Sequence, residues 1–238
     1  ICTWSNRSLI AVSVVSIAVS TGLTAWRGYR SFEGDFTRWL SPTPNSPRNL
    51  LIRTFFDYTH PVFPWITFIC AGIILGRSLP RLTQLRTQIM VWSCVTLLVT
   101  YFIRTFTMPD SIATRTDYVL QRVLSTNNHD HSVLHVTATL AIALLAFCIV
   151  SLVTDSREDH QAVAFLSRTG QMTLSIYLAH VFIFNLVVNW LNWVRPTGLD
   201  TALALSLAFY LTAVPISSLY FRKFGIGPFE RVYRAFGG

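Results

Sequence analysis

The sequence predicts an all-α fold, a polytopic bundle of transmembrane helices, from three observations. Of 238 residues, 52% are hydrophobic and only 13% charged, about half the ~25% charged share of an ordinary soluble domain. Mean hydropathy is +0.46. Six apolar runs lie near 9–25, 62–76, 89–106, 133–153, 172–194 and 202–221. Most approach the roughly 20 residues that cross a hydrocarbon core about 30 Å thick. No long polar region remains for a soluble domain, so 1–238 reads as a single transmembrane helical domain.

The second run is the shortest and the most unusual. It opens within "HPVFPWITFICAGIILGR", residues 60–77. Pro61 and Pro64 lack N–H donors and suit a first helical turn, where those donors are orphaned anyway. Trp65 fits the headgroup level. Gly72 and Gly76 form a GxxxG spacing that permits close helix approach, and Arg77 meets the opposite interface. The run is either a barely tilted span, one extended upstream, or partly re-entrant.

The connections differ in character. The three prolines of "SPTPNSPRN", 41–49, exclude a regular helix and favour extended or turn structure. Segment 78–88 is short and basic with no acid, 107–132 is long and contains "STNNHDHS", 154–171 is mixed, and 195–201 is tight. After the last span, Gly225 and Gly227 stop the helix and Pro228 opens another over 228–236. Phe229, Val232, Tyr233 and Phe236 recur at i, i+3, i+4 and i+7 with Arg231 and Arg234 off that face. This is the pattern of an amphipathic helix lying on a membrane surface.

Net charge is +8, and Lys223 is the only lysine. No basic-aromatic patch survives outside the spans, so the surplus points to anionic headgroups and not to nucleic acid. Basic residues are densest in the short connections that hold Arg7, Arg77, Arg81, Arg86, Arg157, Arg168 and the tail. The positive-inside rule makes that side, with both termini, cytoplasmic. The four cysteines form no CxxC and read as small hydrophobes, not as a disulfide or zinc framework. The chain begins with Ile and carries no signal-peptide pattern, so residues upstream are expected. Serine-hydrolase elbows, P-loops, dinucleotide fingerprints and EF-hands are absent from the sequence.

Four stretches carry candidate chemistry. His60 stands at an outer rim with Asp57 three residues before it. In "NNHDHSVLH", 127–135, three histidines and Asp130 lie within seven positions at the outer entrance to the fourth span. A helix beginning near Asp130 would put His131 and His135 on one face. Such a pair can bind a transition metal, can cap and hydrate a helix start, or can accept a proton from an alcohol; no metal is expected. In "SRTGQMTLSIYLAHVFIFNLVVNW", 167–190, Ser175, Tyr177 and His180 bring polar groups into the bilayer. They either line a functional path or make interhelical hydrogen bonds. In the tail, Arg231 and Arg234 fit an anionic lipid or an anionic cofactor.

Taken in order, "FPWITFICAGIILGR", "HSVLHVTATLAIALLAFCIV", "TGQMTLSIYLAHV" and "GPFERVYR" resemble the motifs of the YeiB-like bacterial membrane proteins. That family has no assigned function and is grouped with transmembrane acyltransferases. Gln171, Asp130 and the Phe229-Glu230-Arg231 triplet depart from its pattern. The resemblance implies a bacterial inner-membrane location and about ten spans, of which this chain would be the last six.

The function expected on these grounds is acyl transfer from a cytoplasmic thioester donor such as acyl-CoA to an envelope glycan or lipid, with no covalently bound cofactor. His131 would handle the proton, with Asp130 or His135 orienting it. His60 would join the substrate site. His180, Tyr177 and Ser175 would line the path, and Arg77, Arg81, Arg86 and Arg168 would contact donor phosphates. Two alternatives are a non-catalytic subunit packed against other membrane proteins, and a transporter using His180 and a helix broken at Pro215.

Overall fold

The computed structural model describes residues 3–32, 46–56, 61–109, 111–126, 131–157, 159–195 and 198–237. Ten α-helices order these residues: α1 Asn6–Ser31, α2 Pro47–Phe55, α3 Val62–Ser78, α4 Leu82–Thr107, α5 Arg115–Val123, α6 Val133–Asp155, α7 Gln161–Gly170, α8 Thr173–Asn185, α9 Leu199–Phe224 and α10 Pro228–Gly237. No strand occurs among the described residues. Five helical runs are long and apolar enough to cross a membrane, so the chain is a helical multi-pass membrane bundle. It divides into two compact units, Ile1–Ser151 and Leu152–Gly238.

Helix starts follow local chemistry. Ser5 accepts from Ser8 N at 3.1 Å to cap α1. Ser46 accepts from Asn49 N at 3.2 Å to cap α2, with Pro47 in its first turn. This corrects the expectation that the prolines of 41–49 exclude a helix: a proline at N1 is pre-organised for one. Helix α5 begins with a capping box in which Thr114 and Asp117 exchange hydrogen bonds. His160 Nδ1 accepts from Ala162 N at 3.2 Å at the start of α7. Helices α2, α5 and α7 fall in segments read from the sequence as connections.

Within the spans, hydroxyls bond to their own helix, as lipid requires of polar groups that water cannot reach. Ser13 donates to Leu9 O at 2.9 Å, Thr96 to Trp92 O at 2.8 Å and Thr137 to Val133 O at 2.7 Å.

In the first unit, four long-range hydrogen bonds fix the helix order. Arg77 Nη1 donates to Asn6 Oδ1 at 2.6 Å and Thr67 Oγ1 to Ser13 O at 3.4 Å, so α3 runs antiparallel to α1. Ser20 Oγ donates to His131 O at 2.9 Å, and Arg86 Nη1 to Ser151 Oγ at 3.4 Å. Helix α6 therefore starts level with Ser20 and finishes at the end where α1 begins. Arg7, Arg77, Arg81 and Arg86 gather at that arginine-bearing end, and His131 lies toward the other.

The run Val62–Thr107 is 46 residues long. A single straight helix of that length would measure about 69 Å, over twice a hydrocarbon core. A 3₁₀ turn at Leu79–Arg81 interrupts it. Ala71, Ile74 and Leu75 of α3 face the same cleft as Ile89, Trp92 and Thr96 of α4, so the chain folds back and the run makes two crossings. Phe63 is non-helical and the Phe63–Pro64 peptide is cis.

The close helix approach falls elsewhere than the GxxxG spacing suggested. A Cβ on Gly72 or Gly76 would meet nothing within 4 Å. On Gly28 it would lie 3.6 Å from the Val119 backbone and from Arg122, where α5 packs on the end of α1.

In the second unit, α8 and α9 form a hairpin. Helix α8 stops at Asn185, short of the predicted 172–194, and a five-residue π-helical turn, Leu186–Trp190, follows it. Leu191 N bonds to Leu186 O at 2.8 Å. Helix α9 runs unbroken through Pro215, contrary to the break expected there. Thr169 Oγ1 donates to Val214 O at 3.4 Å, tying α7 to α9, and Ser217 Oγ donates to the same carbonyl at 2.9 Å from within α9. Helix α10 carries exposed Phe229, Val232, Tyr233 and Phe236 along one face, as expected of a surface-lying helix.

Candidate functional site

The first unit gathers its polar groups where α6 begins. The helix starts at Val133 and not near Asp130, so His131 precedes it and does not share a helical face with His135. The cause is Ser132, which is fully buried and accepts from His135 N at 3.1 Å, making it the N-cap. The Ser132 hydroxyl also donates to Ser125 O. His131 is 7% exposed and held at φ 49°, a left-handed conformation costing roughly 1–2 kcal/mol for an L-residue. The bond from Ser20 to its carbonyl and the Ser132 cap hold it there.

His135 Nδ1 lies 3.1 Å from Thr126 O. A carbonyl can only accept, so Nδ1 carries the proton. In the neutral ring Nε2 then holds a lone pair. That nitrogen is buried and has no hydrogen-bond partner among the described residues. Arg104 Nη1 donates to Thr126 Oγ1 at 2.9 Å, steadying the residue that fixes the tautomer. Ser16, fully buried, lies one turn from Ser20 on α1, and its Oγ is also without a partner among the described residues. Because α1 and α6 are antiparallel and in register at Ser20 and His131, Ser16 and His135 lie at similar depth. The result is a half-buried imidazole whose buried Nε2 carries a directed lone pair, with an open hydroxyl near the same level.

In the second unit, Ser175 belongs to a different arrangement. Its backbone N donates to Glu230 Oε1 at 3.0 Å, its hydroxyl donates to Glu230 Oε2, and Phe229 N donates to the same hydroxyl at 3.3 Å. A Cβ on Gly227 would collide with both groups. Helix α8 has no side-chain cap of its own; a carboxylate from the start of α10 supplies one. Burial works to raise the Glu230 carboxyl, but the hydrogen bonds from Ser175 outweigh it and hold the group below its ordinary range.

The His180 ring lies 5.1 Å from Tyr177, 5.7 Å from Phe184 and 6.1 Å from Phe209, in an aromatic cluster across α8 and α9. Ser175 lines the apolar groove between those helices; Tyr177 and His180 do not. Tyr177 is 59% exposed. Arg168 sits in the last turn of α7, in the second unit. His60 and Asp130 lie outside the described residues, as do Asp57 and His129. No group of three or more His, Cys, Asp or Glu able to hold a metal occurs among the described residues. Glu230, Ser16, Ser20 and Thr126 were missed from sequence. Glu230 lies in "GPFE", where a carboxylate in the first turn of a helix was visible but its long-range target was not.

Fold and site together define a helical multi-pass membrane protein with a buried polar site at one end of its first unit. The model of a family described as a protein of unknown function, DUF418, matches residues 82–237, well over half of the chain, and the chain belongs to that family. The match begins at the first residue of α4 and takes in His131, His135, Ser175 and Glu230. No curated protein and no solved structure matches the chain.

Proposed function

We propose that the protein is a bacterial inner-membrane acyltransferase of the YeiB-like type. It would move an acyl group from an acyl-CoA-type thioester to a hydroxyl or amine of an envelope lipid or glycan, with His135 as the base. The observation that carries this reading is the His135 ring itself, with Nδ1 bonded to the Thr126 carbonyl and Nε2 buried with its lone pair unused. In the reaction the acceptor oxygen or nitrogen attacks the thioester carbonyl as its proton passes to Nε2. The C–S bond then breaks, and the departing thiolate takes up the proton. The sequence reading gave this role to His131. His135 is preferred because its tautomer is set by a named hydrogen bond, whereas His131 serves the turn that starts α6.

The donor phosphates would meet the arginine-bearing end and the acceptor the His135 end, with the arginine-bearing end cytoplasmic. The test is acyl transfer into envelope lipid or glycan by His135→Gln, with His180→Ala in parallel. Loss in the first and retention in the second supports the assignment; transfer by His135→Gln at the wild-type rate overturns it. A second reading, a non-catalytic subunit, is favoured by the open Gly72–Gly76 face. Stoichiometric co-purification of another membrane protein through that face supports it.

A further inference from the structure

The first unit contains a cleft of about 640 Å³ between α3, α4 and α6, with Ile10 of α1 also on its wall. Its surface is mostly apolar, with Ser78, Gln88, Ser93, Thr96 and Thr137 interspersed among aliphatic side chains and Trp92. One end lies at Ser78 and Leu85, beside the 3₁₀ turn, and the other at Thr96 and Thr137. From Leu85 to Thr96 the helix rises about 16 Å. That matches the depth of one leaflet in a hydrocarbon core roughly 30 Å thick.

Charge distinguishes the two ends. Arg77 immediately precedes Ser78 in the chain, Arg81 follows it by three residues, and Arg7 lies in the first turn of α1 at the same end. Residues 3–32, 61–109 and 131–151, which include all the cleft walls, contain no aspartate or glutamate. A mostly apolar slot one leaflet deep, with acid-free walls and with Arg77 and Arg81 flanking Ser78 along the chain at its mouth, has the complement of one ligand shape: a hydrocarbon chain joined to a phosphate. We propose that the cleft binds one acyl chain of an anionic phospholipid from the adjoining leaflet, with its phosphate held by Arg77 and Arg81. The lipid phosphate would share the arginine-bearing end with the donor of the acyl-transfer reading, but occupancy is measured without turnover, so the two can fail separately.

Trp92 lines the cleft and reports on it. The test titrates detergent-solubilised protein with phosphatidylglycerol brominated on its acyl chains, and separately with brominated phosphatidylcholine. Tryptophan quenching is compared between the wild type and Trp92→Phe. The expected result is saturable quenching of the Trp92 component by phosphatidylglycerol, roughly tenfold tighter than by phosphatidylcholine as two arginines near a phosphate imply. The preference is expected to vanish in Arg77→Gln/Arg81→Gln. Equal quenching by both lipids, no quenching assignable to Trp92, or a preference that survives in the arginine variant overturns the proposal. An acyl-CoA that displaces phosphatidylglycerol more weakly than added phosphatidylglycerol does supports the lipid as occupant; one that displaces it more tightly overturns that choice.

Discussion

Glu230 and Ser175 lie 55 residues apart and join the first turn of α10 to that of α8 through backbone and hydroxyl hydrogen bonds. A carboxylate placed at a helix N-terminus satisfies an orphaned N–H and faces the positive end of the helix dipole. Glu230→Ala removes both effects and is expected to cost about 1–2 kcal/mol, measured as a lowered Tm in detergent.

The same contact carries a pH dependence. The folded protein holds the Glu230 carboxyl below its ordinary value of 4.5. A depressed carboxyl contributes stability that is fully present above that value and is lost as pH falls through the lower folded value. Wild-type Tm at pH 5 to 7 should therefore contain the Glu230 contribution, and it should drop away below about pH 4.5. Glu230→Gln should flatten that part of the profile. Parallel acid profiles for the two proteins would show that Glu230 is not the group responsible.

The left-handed backbone at His131 gives a prediction by residue type. Asparagine tolerates positive φ, whereas a β-branched residue does not. His131→Val should be less stable than His131→Asn by about 1–2 kcal/mol. Ser20→Ala, which removes the hydroxyl bonded to the His131 carbonyl, should cost about 1 kcal/mol. Equal melting temperatures for the valine and asparagine variants would contradict the observed φ.

Glycines should divide by position. Gly28→Leu forces a side chain into the α1–α5 contact and should cost about 1–3 kcal/mol. Gly76→Leu enters open space and should stay within about 0.5 kcal/mol of wild type. Thermal melts of the two single variants compare them directly.

Arg104 acts on His135 only through Thr126. Under the acyl-transfer reading, Arg104→Gln should slow transfer much less than His135→Gln, for which loss of a general base predicts about 100- to 10,000-fold. Equal losses in the two variants would place Arg104 itself in contact with substrate.

The all-helical membrane bundle was legible because composition and run length report directly on the solvent a helix occupies. The amphipathic α10 was legible for the same reason, since its periodicity is local. Helices α2, α5 and α7 were less so, because each begins with residues that also favour turns: Ser46-Pro47, Thr114 with Asp117, and His160. Only the completed cap distinguishes the two uses. At the site, histidine clustering drew attention to 127–135, but the start of α6 at Val133 depends on Ser132 and on a carbonyl seven residues away. The tautomer of His135 depends on Thr126, and the cap of α8 on a residue in α10. Pairings of that kind are set by tertiary structure, which spacing along the chain does not encode. The small-residue motif in α3 shows the reverse case, a local pattern that the described contacts leave unused.

The π-helical turn at Leu186–Trp190 has a consequence for chain length. A hydrogen bond spanning five residues accommodates one more residue than the α-helical ladder around it. The residues at its end and just beyond, Trp190 and Trp193, are rotated by up to about 100° from where an uninterrupted α-helix would place them. Removing a single residue between Leu186 and Trp190 would restore ordinary winding and swing those indoles to a different side of the hairpin tip. Insertions and deletions of one residue at this position are thus a means of re-aiming the tip while leaving the rest of the hairpin unchanged.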